Sequence, residues 1–196
     1  MINNLDILLP LLDFSNPDDG FYYIQILQRK KDLGKGPSSK VIKSYAVHNE
    51  AYLLDHMDEI IGLCEFFHAR AYLYPTRRSL RSVAFDIQKA LVERARSNQF
   101  VGVHSVYQDC VGDKGVCLKP KIWVIDVDEP NIPHLQDIRE VIYDSAPSGS
   151  KILAEVPSRT GVHLLTEPFN PMALQKAFPS PNLDIQKNNG TNLIII

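Results

Sequence analysis

The sequence has no long apolar run. Nothing in it approaches the ~18–20 apolar residues that a membrane span requires, so no membrane partner is expected. Cysteine is scarce: three residues in 196, Cys64, Cys110 and Cys117, at loose spacing. An odd, scattered set argues against a secreted disulfide framework and for a reducing, cytoplasmic setting. The N-terminus carries Asp6 and Asp13 among Leu and Pro, with no basic stretch, and does not read as a signal peptide. Neither charge dominates, with 21 basic and 23 acidic residues and a net charge of −2. That excludes a histone-like basic protein and confines any nucleic-acid surface to a local patch. Internal repeats and glycine-rich phosphate loops are also absent. What is present is an ordinary globular composition, 44% hydrophobic and 22% charged, expected to fold as a single domain over 1–196.

Periodicity gives a mixed order of strands and helices, with antiparallel pairs. Phe21 to Gln28 and Val41 to Val47 read as a strand hairpin around a Lys/Gly/Pro/Ser loop at 30–39. Asn49 is placed to cap a helix carrying Leu53, Met57, Ile60 and Cys64 on one face. Ala69 to Tyr74 reads as a short strand, and Ser79 to Arg96 as an amphipathic helix. Residues 97–120 read as irregular. Lys121 to Val127 is a strand, and Ile132 to Tyr143 a helix opened by Pro133. Ile152 to Val156 and Val162 to Thr166 are strands around a turn, followed by a helix at Met172 to Ala177. Leu183 to Gln186 and Asn192 to Ile196 read as strands either side of Lys187-Asn188-Asn189-Gly190.

Chemistry concentrates in three places. Ile122 to Val127 is an apolar strand that ends in Asp126-Val127-Asp128, before Glu129-Pro130. Two residues apart on a strand, Asp126 and Asp128 share a face with Cα atoms ~6.5–7 Å apart. Aimed at one point, they repel by about 1–4 kcal/mol, and a hard cation such as Mg²⁺ or Mn²⁺ relieves that. Taken alone, the same pair also reads as two solvated turn residues. Next, Pro157-Ser158-Arg159-Thr160-Gly161-Val162-His163 is a polar turn entering a strand. It offers hydroxyls, N–H groups and a guanidinium to a phosphate, or it is a plain hairpin with a half-buried histidine. Finally, Asn182-Leu183-Asp184-Ile185-Gln186-Lys187 sets Asp184 opposite two apolar neighbours, with Lys187 close behind it; its plain alternative is a solvent-facing strand with a surface lysine.

In this order, Asp126-Val127-Asp128, Gly161-Val162-His163 and Leu183-Asp184 resemble the motifs of the archaeo-eukaryotic primase superfamily, the primase-polymerases. The likeness covers residues 121–196, with a looser one at Arg70 to Ser79. It implies an α+β fold with a mixed, largely antiparallel sheet: an RRM-like catalytic core at 101–196 behind an N-terminal αβ unit at 1–100. It implies Asp126, Asp128 and Asp184 as catalytic metal ligands for Mg²⁺ or Mn²⁺, and His163 as a catalytic contact to the incoming nucleotide's phosphates. Ser158, Arg159 and Lys187 join His163 in nucleotide binding. The reaction implied is two-metal nucleotidyl transfer from nucleoside triphosphates to a 3′-hydroxyl on a single-stranded DNA or RNA template. A helicase or other replication protein acting in trans, and a phage or mobile element as the setting, fit that reading.

Template binding needs positive surface. One basic patch comprises Arg29, Lys30, Lys31, Lys35, Lys40 and Lys43. A second surrounds the helix after residue 79, where Arg77, Arg78 and Arg81 are the expected nucleic-acid contacts, and Tyr74 and Tyr72 beside them the expected stacking residues. Arg77 and Arg78 are expected in a turn facing the cleft. Besides a small globular protein whose aspartates are plain turn residues, two rivals remain open. One is a metal-dependent nuclease using Asp126, Glu155 and Lys151. The other is a catalytically silent nucleic-acid-binding replication module. Cys110 and Cys117 with His104 form a weaker candidate for a metal site.

Overall fold

The computed structural model describes residues 1–29, 34, 39–128, 131, 134–179 and 183–196. Lys30, Lys31, Lys35, Glu129, Pro130, Pro133 and Asn182 lie outside them, and with the three lysines half of the first basic patch. The protein is α+β, with two antiparallel sheets.

The first sheet has the order β1-β9-β4-β2-β3. Its strands are β1 (Ile2–Asn3), β2 (Gly20–Arg29), β3 (Ser39–Val47), β4 (Arg70–Ser79) and β9 (Thr191–Ile195). Phe21, Tyr22, Tyr23 and Ile24 of β2 are all buried because both faces of this sheet are covered. Tyr22, Ile24 and Ile26 pack with Leu53, Met57, Ile60 and Cys64 of helix α2 (Glu50–Phe67). Phe21 and Tyr23 pack with Val83 of α3 (Leu80–Arg96) and Val111 of α4 (Val106–Gly112). The start of α2 is fixed by Asn49, whose side chain accepts from the Tyr52 N–H, and that of α3 by Ser79, which accepts from the Ser82 N–H. Helix α1 (Leu5–Leu8) follows β1.

The second sheet has the order β6-β7-β5-β8. Its strands are β5 (Trp123–Asp128), β6 (Ile152–Pro157), β7 (Gly161–Thr166) and β8 (Leu183–Gln186), in chain order β5-α5-β6-β7-α6-β8. Helices α5 (Leu135–Asp144) and α6 (Met172–Ala177) cover one face, where Ile125, Val127, Leu164 and Leu183 bury against Ile138, Ile142, Phe169 and Leu174.

Three elements differ from the sequence expectation. The last strand does not stay in the 101–196 subregion: β9 crosses to the first sheet and pairs with β4 and β1. All five of its residues are buried, and a central place in that sheet gives the cover that such a strand needs. β4 also runs past Tyr74 to Ser79, through Pro75. The proline sits where the β2–β4 register shifts between Phe21 and Tyr23, the kind of irregularity that tolerates a missing N–H. Finally, the stretch 97–120 contains α4, which buries only Val106, Cys110 and Val111. Three buried positions in seven residues are too few to announce a helix by period.

Candidate active site

β5 is the axis of the site. In the antiparallel ladders, Asp126 pairs with His163 of β7 on one side and with Asp184 of β8 on the other. Directly paired residues project to the same face, with Cβ atoms about 4.5–5.5 Å apart. One row across three strands therefore reads His163, Asp126, Asp184, and Asp128 stands two residues further along the same face, paired with Gly161. This is the face turned away from α5 and α6. It opens into a cleft of about 500 Å³ between the sheets.

Asp126, Asp128, His163, Ser158, Arg159 and Thr160 line the cleft from the second sheet. Ser158 and Gly161 close the β6–β7 hairpin, the Ser158 N–H donating to the Gly161 carbonyl at 3.0 Å, with Arg159 and Thr160 at the tip. The Thr160 hydroxyl donates to Asp128 Oδ1 at 2.9 Å. Gly161 is required by β5: a Cβ there would run into the Val127 carbonyl oxygen. Asp184 is exposed, and its Oδ2 accepts from the Gln186 side chain at 2.9 Å. Gln186 itself lines the cleft.

His163 is buried beside Asp126, with Nε2 3.3 Å from Asp126 Oδ1. That contact is an ion-pair distance without hydrogen-bond geometry, and Asp126 Oδ1 is a buried oxygen with no hydrogen-bond partner. Ser158 Oγ and Asn192 Oδ1 share that condition in the same cleft. Buried polar atoms without partners are uncommon, because each forgoes its solvation. Of the seven such atoms among the described residues, three border this one cavity, where a polar ligand or water would satisfy them.

The first sheet supplies the opposite wall: Arg29 and Tyr72, both expected in template binding, and Arg70 and Asn192, which were not expected there, with Gly190 from the link into β9. The Arg29 guanidinium donates to the Tyr72 hydroxyl at 3.3 Å. A Cβ on Gly190 would lie 2.9 Å from Tyr72 Cβ, so the bare glycine lets that link approach β4. No local pattern in the sequence signals that the two arginines meet. The alternation of Arg70 and Tyr72 along a strand was the available sign.

Other expected contacts lie elsewhere. Arg77 and Arg78 are in β4, not in a turn, and the longer strand carries them away from the cleft. The Arg77 guanidinium donates to the Asn16 and Gly20 carbonyls. Arg78 is fully buried, with Nη1 2.6 Å from Cys117 Sγ and its guanidinium 5.2 Å from the Tyr74 ring centroid. Burial holds the Arg78 guanidinium below its ordinary pKa and pushes the Tyr74 hydroxyl up. The Tyr74 hydroxyl donates to Gln25 Oε1 at 2.8 Å, and Tyr72 takes the cleft position instead. Arg81 lies over the Phe85 ring on α3. Lys187 is exposed, with Nζ 4.6 Å from the Trp123 ring centroid. Trp123 packs on the helix-covered side, so Lys187 is not part of the cleft wall.

The nuclease set does not converge either. Glu155 pairs with Leu164, on the opposite face from Asp126, and accepts two hydrogen bonds from Arg139 at 2.7 Å each. Lys151 is buried and donates to the carbonyls of Tyr143, Pro147 and Gly149. Cys110 is buried in α4, while the Cys117 thiol donates to Asn188 Oδ1 at 3.0 Å.

Among the described residues, no three His, Cys, Asp or Glu side chains stand close enough to hold a metal ion by themselves. The Asp126–Asp128 pair still fits a hard divalent cation. Its donors are all oxygen, and one of them is buried without a partner. Mg²⁺ is commonly held by one or two carboxylates and completes its shell from water and substrate phosphates. Comparison with protein-family models, with curated proteins and with solved structures gave no match.

Proposed function

We propose that this protein is a metal-dependent nucleotidyltransferase of the primase-polymerase kind, extending a 3′-hydroxyl on a single-stranded template. The observation that carries the reading is the in-register pair His163–Asp126, with Asp128 beside it, opening on a cleft that also holds Ser158 and Arg159; Asp184 pairs with Asp126 across the ladder but is exposed outside the cleft lining. The order β5-α5-β6-β7-α6-β8 with sheet order β6-β7-β5-β8 supports an RRM-like core, since it follows the split βαβ pattern.

Asp126 and Asp128 would hold Mg²⁺ or Mn²⁺, with Asp184 across the ladder as the further carboxylate. The ion supplies charge neutralisation at the phosphates and a lowered pKa for the attacking hydroxyl. The chain's own groups position the substrate. Ser158, Arg159 and His163 receive phosphate oxygens, as positioning and charge stabilisation dominate such reactions. Arg29 and Arg70 add positive potential on the opposite wall, and Tyr72 offers a ring for a base or sugar. Lys187, Arg77, Arg78, Arg81 and Tyr74 have no place in this version. No helix among the described residues is long and apolar enough to cross a membrane. The free cysteines support a reducing compartment such as the cytoplasm.

The test is nucleotide incorporation on primed and unprimed single strands with Mg²⁺ or Mn²⁺, comparing the wild type with Asp126→Ala plus Asp128→Ala. Template-directed extension by the wild type alone is expected. Strand binding without extension by either protein overturns the reading in favour of a silent binding module. Cleavage of the strand without nucleotides overturns it in favour of a nuclease.

A further inference from the structure

β9 enters the first sheet with two polar residues, Thr191 and Asn192, ahead of Leu193, Ile194 and Ile195. Both are buried, Thr191 completely and Asn192 to 2% exposure. Buried polar side chains in a strand need partners, and both find the same one. Thr191 Oγ1 lies 2.9 Å from His163 Nδ1, and Asn192 Nδ2 lies 3.3 Å from His163 Nε2. His163 belongs to the other sheet. The junction is tied once more by Asn4, whose side-chain amide donates to the Asn192 carbonyl at 2.9 Å and to the Pro157 carbonyl at 3.0 Å.

We infer that Thr191 and Asn192 are positioning residues for His163, setting from the first sheet which ring nitrogen of a second-sheet histidine faces the cleft. An imidazole can present either nitrogen, and the hydrogen bond made by one decides what the other can do. With Nδ1 engaged by Thr191, Nε2 is the atom directed at Asp126 Oδ1 and the cleft. Asn192 borders Nε2 on the cleft side and limits rotation of the ring. The His163 contact to substrate is thus correct only when the two sheets are docked. The function assigned to that contact rests on the proposed nucleotidyl transfer. The orientation of the ring does not.

The test uses both properties. The imidazole nitrogen resonances of ¹⁵N-histidine-labelled full-length protein are recorded without metal or nucleotide, and His163 is assigned by its loss in His163→Gln. Thr191→Val keeps the shape and removes the hydroxyl, whereas Thr191→Ser keeps the hydroxyl. The valine variant is expected to displace the His163 Nδ1 and Nε2 resonances, and the serine variant to restore them. In the incorporation assay, the valine variant is expected to raise the KM for nucleotide about tenfold, the equivalent of one lost hydrogen bond, with kcat within about twofold and serine again restoring the wild type. Unchanged His163 resonances in Thr191→Val overturn the inference. If Thr191→Val does not fold, Asn192→Ala is read in the same way: displaced Nε2 resonances support the inference, and unchanged ones overturn it. A displaced spectrum in a protein that incorporates no nucleotide leaves the positioning role standing and removes the nucleotidyltransferase reading alone.

Discussion

The two faces of the four-stranded sheet are made from the same strands and treat charged groups in opposite ways. Toward α5 and α6, Ile125, Val127, Leu164 and Leu183 are buried, and the charged groups at this side of the molecule are matched. Glu155 is held by both arms of the Arg139 guanidinium, and Lys151 by three carbonyls. Toward the cleft, Asp126 and Ser158 keep buried oxygens without partners. Period-2 alternation lets one strand serve both ends: Ile125 and Val127 hold the sheet to its helices, while Asp126 and Asp128 face the cleft. Thr166 on the helix side also buries a hydroxyl without a partner, so what marks the binding face is unmatched oxygens beside an open cavity rather than unmet hydrogen bonding alone.

The sharpest break of that comparison is catalytic. Asp126→Ala plus Asp128→Ala is expected to lower incorporation by about two to three orders of magnitude, as loss of a charge-stabilising group does. The melting temperature should stay close to that of the wild type, because both side chains face the cleft rather than the hydrophobic core. A variant that lost activity and melted well below the wild type would erase the distinction between the faces. The converse is Ile142→Ala on the helix side. It should cost about 2–5 kcal/mol by opening a cavity, seen in denaturant unfolding, while a folded fraction keeps its affinity for nucleotide.

Divalent ions sharpen the contrast further. A ligand that binds only the native state raises stability, by about 2.7 kcal/mol at one hundred times its Kd. Mn²⁺ should therefore raise the melting temperature of the wild type and leave the double aspartate variant unmoved; an equal rise in both would place the ion elsewhere. The last variant lies at the edge of the site. Gly161→Ala pushes a methyl into the Val127 carbonyl, and because the obstacle is backbone the cost is expected at or above the upper end of the about 1–3 kcal/mol of ordinary overpacking. Because Gly161 is paired with Asp128, this variant should also weaken Mn²⁺ binding, which the hydrophobic-core variant should not do.

Many local elements were legible from single residues. Asn49 and Ser79 mark two helix starts that the structure reproduces through their side-chain hydrogen bonds. The helix at Met172–Ala177 and the strand at Leu183–Gln186 coincide with their expected limits. Placement of the candidate residues was legible in part. Asp126 and His163 do sit on paired strands, and Asp184 stands across the ladder. The assembly of the remaining wall was not legible, because Arg29, Arg70, Tyr72 and Asn192 come from three strands of another sheet. The expected turn placement of Arg77 and Arg78 failed for a local reason: the strand expected to end at Tyr74 runs on through Pro75, which the irregular β2–β4 register accommodates, and carries both arginines with it.

The amino-acid sequence by itself determined the alternation that puts Asp126 and Asp128 on one face and Ile125 and Val127 on the other, since side-chain direction in a strand follows residue parity. It also determined the caps, which depend on groups a few residues apart. Only the tertiary structure decided that β9 leaves the second sheet, that Thr191 and Asn192 reach His163, and that arginines far apart along the chain share one cleft. Those outcomes depend on which surfaces find cover when the two sheets dock, and burial is a property of the assembled fold that short-range pattern does not carry.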